Sequence, residues 1–339
     1  MCGLYGATKL ANRLVFAADL GGTKVAAAAV TRHGKIMARA VELVDRSSKF
    51  AAIAQIKRLA QQLAKPARPS EAFLAGGLAF PGLVRRSGTV WAPNLPGWEH
   101  VPLRTRLQRS MGIPIVIESD RNAAAIGETW FGAAKGKQDA VLLIIGTGIG
   151  AGIISGGRLV RGAHELSGCA GWMVVTDAYP NEARRIGQLE TFTAGPAVAR
   201  AAAERLKEGV TGALSELNPA DINGRQVAEA ARAGDPAAQR IFDHLGKILG
   251  RGIANIISLF DPEVVIIGGG MADSADLFLP SVVSTVRQFA QPISARQTKI
   301  RVSRLRGDAN LLGAARLAWG LVPRHGETSA EPTAVQPAE

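Results

Sequence analysis

Cysteine is nearly missing from this sequence: Cys2 and Cys169 are the only two, too few for a disulfide framework and suited to a reducing compartment. Aromatic residues make up only 5% of the chain while Ala, Gly, Val, Ile and Leu abound, which argues against an aromatic-rich all-β sandwich and for helices packed on sheets. No window approaches the roughly 18 unbroken apolar residues of a membrane span. The N-terminus carries no apolar signal core with a cleavage site, so a cytoplasmic protein with no membrane partner is expected. The histidines (His33, His100, His164, His244 and His325) lack metal-ligand spacing, and no structural metal is expected. The net charge of +12 is dispersed. Arg85-Arg86, Arg184-Arg185 and Arg301 stand apart, without a lysine-rich block or interleaved aromatics, so nucleic acid is not an expected partner, although a phosphate-bearing substrate would tolerate this field.

At 339 residues the chain exceeds what one hydrophobic core usually organises, and two lobes with a central cleft are expected. Residues 1–13 and 323–339 read as flexible ends. A buried strand, Leu14 to Ala18, turns at Asp19-Leu20-Gly21-Gly22-Thr23-Lys24 into a second strand to Val30, and a third follows from Ile36 to Val44. A helix from Phe50 to Leu63, a strand from Ala72 to Leu78, a helix from Leu103 to Met111 and a strand from Ile113 to Ile117 come next. That last strand delivers Glu118-Ser119-Asp120 to its C-terminal end, where open α/β sheets gather ligands. The opening pattern then returns: strand Ala140 to Ile145, turn Gly146-Thr147-Gly148-Ile149-Gly150, strand Ala151 to Ser155. The class is therefore α/β with a two-fold duplicated topology. A small lobe is expected over 14–118, completed by 310–322, and a large lobe over 119–309.

The two hairpins can offer phosphates their backbone N–H groups, because glycine has no Cβ to hold a ligand away. Thr23 and Thr147 add hydroxyls, and Asp19 adds a carboxylate suited to Mg²⁺ or its water shell. Each taken alone is equally an ordinary β-turn. A dinucleotide fingerprint is disfavoured at 146–150, since the chain returns as a strand where that motif needs a helix. Gly268-Gly269-Gly270, after a buried strand, admits a flat adenine ring or makes a tight strand-to-helix turn. Asp120 suits a base that takes a hydroxyl proton as that oxygen attacks a γ-phosphate, and equally suits helix N-capping, for which Ser119 is the alternative. Pro93-Asn94-Leu95-Pro96-Gly97-Trp98 reads as a rigid loop that walls a polyhydroxy ligand or merely packs.

Taken in order from about 14 to 320, these segments resemble the ROK family of bacterial sugar kinases, sugar-responsive repressors and uncharacterised frames. Asp19 to Lys24 looks like its first phosphate motif, Gly146 to Gly150 its second, and Asp261 to Gly270 its adenosine segment; Phe80-Pro81-Gly82, Pro93-Asn94-Leu95, Asp120 with Asn122 to Ala125, and Leu312-Gly313-Ala314-Ala315 also fall in family order. The resemblance implies an actin-like or hexokinase-like ATPase fold, ATP with Mg²⁺ as donor, Asp120 as base, and a homodimer. It implies nucleotide contacts at Asp19, Gly21, Gly22, Thr23 and Lys24, at Gly146, Thr147 and Gly148, and at Gly268, Gly269 and Gly270. The family's repressors carry a helix-turn-helix before the first phosphate motif; here 18 residues precede Asp19, so a repressor is not expected.

On the acceptor side the chain departs from the family pattern. Where those kinases show Ala-Gly-Glu-x-Gly-His, with the His also binding a structural zinc, this chain reads Ser167-Gly168-Cys169-Ala170-Gly171-Trp172. The cysteine-rich zinc segment is replaced by Arg185 to Glu190, so no structural zinc is expected. Ser119 stands where an Asn usually precedes the base, and Glu190 fits the last sugar-contacting carboxylate. Sugar contacts are thus expected from Gly82, Asn94, Ser119 and Glu190, with Cys169 and Trp172 as altered positions and His164 and Glu165 as replacements. Hydrogen bonds to hydroxyls discriminate substrates strongly, so the expected acceptor is a sugar or derivative other than standard glucose. Trp172 either packs on a less hydroxylated substrate or fills the space left by zinc. A non-catalytic sugar sensor on the same fold is the alternative function.

Overall fold

A computed structural model of the chain describes residues 14–48, 50–92, 97–219 and 221–323. Apart from Pro323, the expected flexible ends lie outside these residues, as does Asn94.

The opening meander is β1 (Leu14–Leu20), β2 (Lys24–Val30) and β3 (Ile36–Leu43), all antiparallel neighbours. β4 (Phe73–Phe80) and then β7 (Ile115–Ser119) add in parallel beyond β1, giving the order β3-β2-β1-β4-β7. β1 and β4 are almost continuously apolar because both faces are covered, as interior parallel strands require. β3, at the edge, alternates and leaves Met37, Arg39 and Val41 outward. A short ribbon, β5 (Leu83–Val84) with β6 (Val90–Trp91), lies between β4 and β7 in sequence.

One face of this sheet carries α1 (Ala51–Ala64) and α2 (Leu103–Met111), whose Ile56, Leu59, Leu103 and Leu107 recur at helical spacing and bury against Phe16, Leu20 and Leu78. The opposite face holds Val15, Ala17 and Ala75 against Leu311, Ala314 and Ala315 of the C-terminal helix.

The second sheet repeats the first. β8 (Ala140–Ile145), β9 (Ile149–Ser155) and β10 (Arg158–Leu159) form its meander, and β11 (Val264–Gly268) and β12 (Lys299–Val302) run parallel to β8, in the order β10-β9-β8-β11-β12. The duplication read from two glycine hairpins is therefore a duplication of whole sheets. Its helices include α4 (Gln188–Thr193), α5 (Gly195–Lys207), α6 (Gly224–Arg232), α7 (Pro236–Phe260) and α8 (Ala275–Phe289). α7 starts cleanly: the Asp235 carboxylate accepts the Ala237 and Ala238 N–H groups, and Pro236 needs no partner there. The sequence reading placed no element between Gly270 and Asn310. The structure puts α8 there, with Phe278, Val282 and Val286 buried four residues apart, and then β12.

The chain divides into two compact units, one of Gly136 and residues before it, Gly157–Ser167 and residues from Gly307 on, the other of Lys137–Gly156 and Gly168–Arg306. The boundary expected at 118/119 is thus displaced to Gly136. The reason is that α3 (Asp120–Phe131) and α9 (Asp308–Gly320) pack backbone to backbone: a Cβ on Gly313 would collide with the Ala123 carbonyl, and one on Gly127 with that of Ala309. Among the described residues no helix is long and apolar enough to cross a membrane.

Candidate active site

In the first unit β1 ends on Asp19 and Leu20, and the turn closes through a 2.9 Å hydrogen bond from the Gly21 N–H to the Lys24 carbonyl. Gly22, Thr23 and Lys24 are exposed beyond it. Arg46 donates from its guanidinium to the Gly22 carbonyl and pins the tip, a contact that sequence reasoning did not identify.

Asp19 retains an accessible edge, yet loss of solvation raises its carboxyl from 3.8 to about 7; a hydrogen bond with the Asn310 side chain opposes this rise and the charge of Asp120 adds to it. Asp120 is the first residue of α3, directly after β7. Burial raises its carboxyl too, opposed by the Arg121 N–H, which donates to Oδ1 at 2.8 Å, and by the Arg121 charge. Two carboxylates from β1 and α3 thus share one poorly solvated region with an arginine beside them.

The capping alternative for Ser119 is not what the structure shows. Ser119 occupies the N-cap position of α3, but its side chain makes no capping bond, and its hydroxyl is buried without a partner. Its residue is only 2% exposed and its N–H is held by the Glu118 carboxylate. One nitrogen of Arg121 and the Asn122 side-chain oxygen are likewise buried and unpaired. Such groups are few in native structures, and three of them lie within two residues of Asp120.

The other acceptor candidates of this unit fall around the junction unevenly. The loop from Arg161 to Ser167 lies against it: the Arg121 Nε donates to the Ser167 carbonyl at 3.2 Å, and Arg161 pairs with Glu118. Glu165 on this loop has a left-handed backbone (φ 57°) and lies 3.7 Å from the Arg86 guanidinium, while His164 is exposed. Gly82 packs where a Cβ would strike the Trp91 carbonyl, which accounts for the glycine sterically.

In the second unit the glycine motifs come together. The Gly195 N–H at the start of α5 donates to the Gly146 carbonyl at 2.8 Å, setting the N-terminus of a thirteen-residue helix beside the hairpin. Helix N-termini favour phosphate through their unpaired N–H groups and dipole. Gly269 (φ 82°) sits against the Ile145 backbone, so the triple glycine adjoins the same hairpin, and no side chain fits at 269. The strand after Gly148 is β9, which agrees with the exclusion of a dinucleotide fingerprint.

Glu190 on α4 accepts the Ile149 N–H at 2.7 Å, and burial raises its carboxyl against that bond. Cys169 is exposed, and Trp172 is 53% exposed. The exposed indole therefore does not fill an interior space. Gln188 is fully buried: its oxygen accepts the Val175 and Thr176 N–H groups at 2.6 and 3.1 Å, and its amide donates to the Thr176 and Ala178 carbonyls at 2.8 and 2.7 Å. All four hydrogen-bonding positions of that amide serve one loop. Among the described residues no three His, Cys, Asp or Glu are grouped so that they could hold a metal ion.

Sequence reasoning missed Glu118, Arg121, Arg161, Asn310 and Gln188 as site-builders. Glu118 and Arg121 flank Asp120 and carried a local signal, whereas Asn310 and Arg161 lie far off in sequence and carried none.

The ROK family profile matches residues 15–320. A glucokinase of Thermotoga maritima is 32% identical over 305 residues, 88% of this chain and 94% of its own. A xylose repressor of Caldicellulosiruptor bescii is 31% identical over 74% of this chain but only 63% of its own length. Among solved structures, a ROK glucokinase of Streptomyces griseus in complex with glucose and AMPPNP superposes with a TM-score of 0.75 at 32% identity, covering 90% of this chain and 99% of that one. The duplicated sheets are those of the actin-like hexokinase fold shared by such kinases. By sequence coverage and by fold, this chain belongs to the ROK family.

Proposed function

We propose that this protein is an ATP-dependent kinase that phosphorylates a hydroxyl of a sugar or sugar derivative, with Asp120 as general base and an acceptor other than standard glucose. The observation that carries the reading is Asp120 at the β7-to-α3 junction, its basicity raised by burial while Arg121 favours the ionised form. The acceptor hydroxyl gives its proton to Asp120 as its oxygen forms a bond to the γ-phosphorus. The bond from that phosphorus to the bridging oxygen breaks, and its electron pair leaves with ADP.

Asp19 fits a magnesium site of the kind that uses one or two carboxylates together with substrate phosphates. Bound there, Mg²⁺ would offset phosphate charge. In this reading Gly21, Gly22, Thr23 and Lys24 are phosphate contacts, as are Gly146, Thr147 and Gly148, which are backed by the α5 N-terminus, and Gly268 to Gly270 are adenine contacts.

The acceptor identity follows from the altered positions. Cys169 offers no carboxylate, Trp172 presents an open indole, and Ser119 has an unused hydroxyl, which together favour a less hydroxylated or substituted sugar over glucose. His164, Glu165 and Glu190 supply the remaining polar contacts in this reading. It includes no zinc, consistent with Gln188 holding the 175–178 loop. A cytoplasmic homodimer without nucleic acid belongs to the same reading and rests on family likeness and charge dispersion.

The test is ADP release with Mg²⁺ and ATP across hexoses, amino sugars, N-acyl sugars, anhydrosugars and polyols, beside Asp120→Asn. The substitution should lower kcat by about 10²- to 10⁴-fold with ATP affinity retained. If no acceptor raises turnover above the Asp120→Asn background, the kinase reading fails, and sugar binding without turnover would then assign the chain to the sensor alternative.

A further inference from the structure

The strand that delivers Asp120 carries a carboxylate two residues earlier that the phosphoryl-transfer steps do not use. Glu118 is 5% exposed, and both its oxygens are bonded. Oε2 receives Nε and Nη2 of Arg161 at 2.9 and 2.8 Å. Oε1 receives the Ser119 N–H and the Asn122 side-chain amide, each at 2.9 Å. Asp120 stands between those last two donors.

Arg161 reaches Glu118 from a loop that is itself closed. The Ser167 N–H donates to the Arg161 carbonyl at 3.0 Å, and the Ser167 carbonyl accepts from Arg121. The loop is thereby tied to the residues on both sides of the base, to Glu118 ahead of it and Arg121 behind. A buried carboxylate keeps its charge only with a partner. Without Arg161, the Glu118 carboxylate loses both partners of Oε2 and is drawn toward water, and that movement would release the Ser119 and Asn122 donors that set the first turn of α3.

The geometry points to Arg161 as a positioning residue for the base, acting through Glu118 to fix the strand-to-helix junction on which Asp120 stands. Its catalytic consequence rests on the phosphoryl-transfer reading; its structural consequence does not.

The experiment compares the full chain with R161M, E118Q, the double variant E118Q/R161M and, as a control on the exposed pair of the same loop, R86M. Amide hydrogen exchange reports on residues 119–123, and kinetics use Mg²⁺-ATP with D-glucose and N-acetyl-D-glucosamine as acceptor probes. In R161M those amides should exchange about tenfold faster or more, with no such change in R86M. kcat should fall about 10- to 100-fold, since small misplacements of a reacting group cost that much. The KM for ATP should stay within about twofold, because the nucleotide contacts are untouched. The double variant should recover, because the side-chain amide introduced by E118Q keeps an oxygen for Ser119 and Asn122 but no charge needing Arg161. If R161M does not fold, R161K, which keeps the charge but not the two-point contact, replaces it with the same expected direction. Unchanged exchange, or a double variant impaired by the product of the two single effects, overturns the inference. If the parent turns over neither probe, the exchange arm alone decides the role of Arg161, while the kinase reading is judged by its own acceptor panel.

Discussion

Replacing Asp19 by Asn should make the ligand-free protein more stable at neutral and alkaline pH, although it should abolish turnover. The folded protein raises the Asp19 carboxyl from 3.8 to about 7, chiefly through lost solvation, with the Asp120 charge adding to it. A carboxyl whose folded pKa is raised binds its proton more tightly when folded. The penalty for ionising it is therefore absent below about pH 4, grows across the window from 3.8 to about 7, and is complete above it. A shift of roughly three units at 1.36 kcal/mol each sets an upper limit of about 4 kcal/mol. Asp120 relaxes part of this by titrating with it, so a gain of about 2 kcal/mol at pH 8 is the working expectation. Asn keeps a partner for Asn310 and carries no charge. Urea unfolding of both proteins in EDTA, from pH 5 to pH 8, measures the difference. A difference that does not grow with pH, or an Asp19→Asn variant less stable than the parent at pH 8, would refute the reasoning.

Gln188→Leu removes four hydrogen bonds to the 175–178 loop and strands their backbone partners. At about 0.5–1.5 kcal/mol each it should destabilise the protein by about 2–6 kcal/mol. Chelators should leave the parent's melting temperature unchanged, and a chelator-induced drop would contradict the protein-only staple. Gly269→Ala places a Cβ against the Ile145 backbone at a φ of 82°. A strain of about 1–3 kcal/mol at that position should weaken ATP binding at least about fivefold by titration calorimetry.

The legible parts of the fold share a physical cause. β1, β8 and β11 are short apolar runs bounded by glycine or aspartate, and α7 announces itself with Asp235-Pro236 and a long helical periodicity. α8 was passed over because Pro280 interrupts its pattern, and β12 because it is a short, charged edge strand. Among the candidate site residues, Asp120 and the glycine hairpins are visible in the sequence because turn chemistry requires those residue types locally. Glu118 was read only as part of the strand end; nothing near it in sequence says that Arg161 will neutralise it.

The sequence by itself determined the class, the duplicated hairpins and the catalytic candidate, since apolar period, glycine placement and a carboxylate at a strand end are local properties of the chain. The tertiary structure decided three things that depend on desolvation and on distant partners. It raised the Asp19 carboxyl by burying it near Asp120, assigned α3 to the first unit through glycine contacts with α9, and closed Gln188 and Glu118 with four donors or acceptors each. Burial and partnership are made only when the chain brings remote residues together, and no local pattern records them.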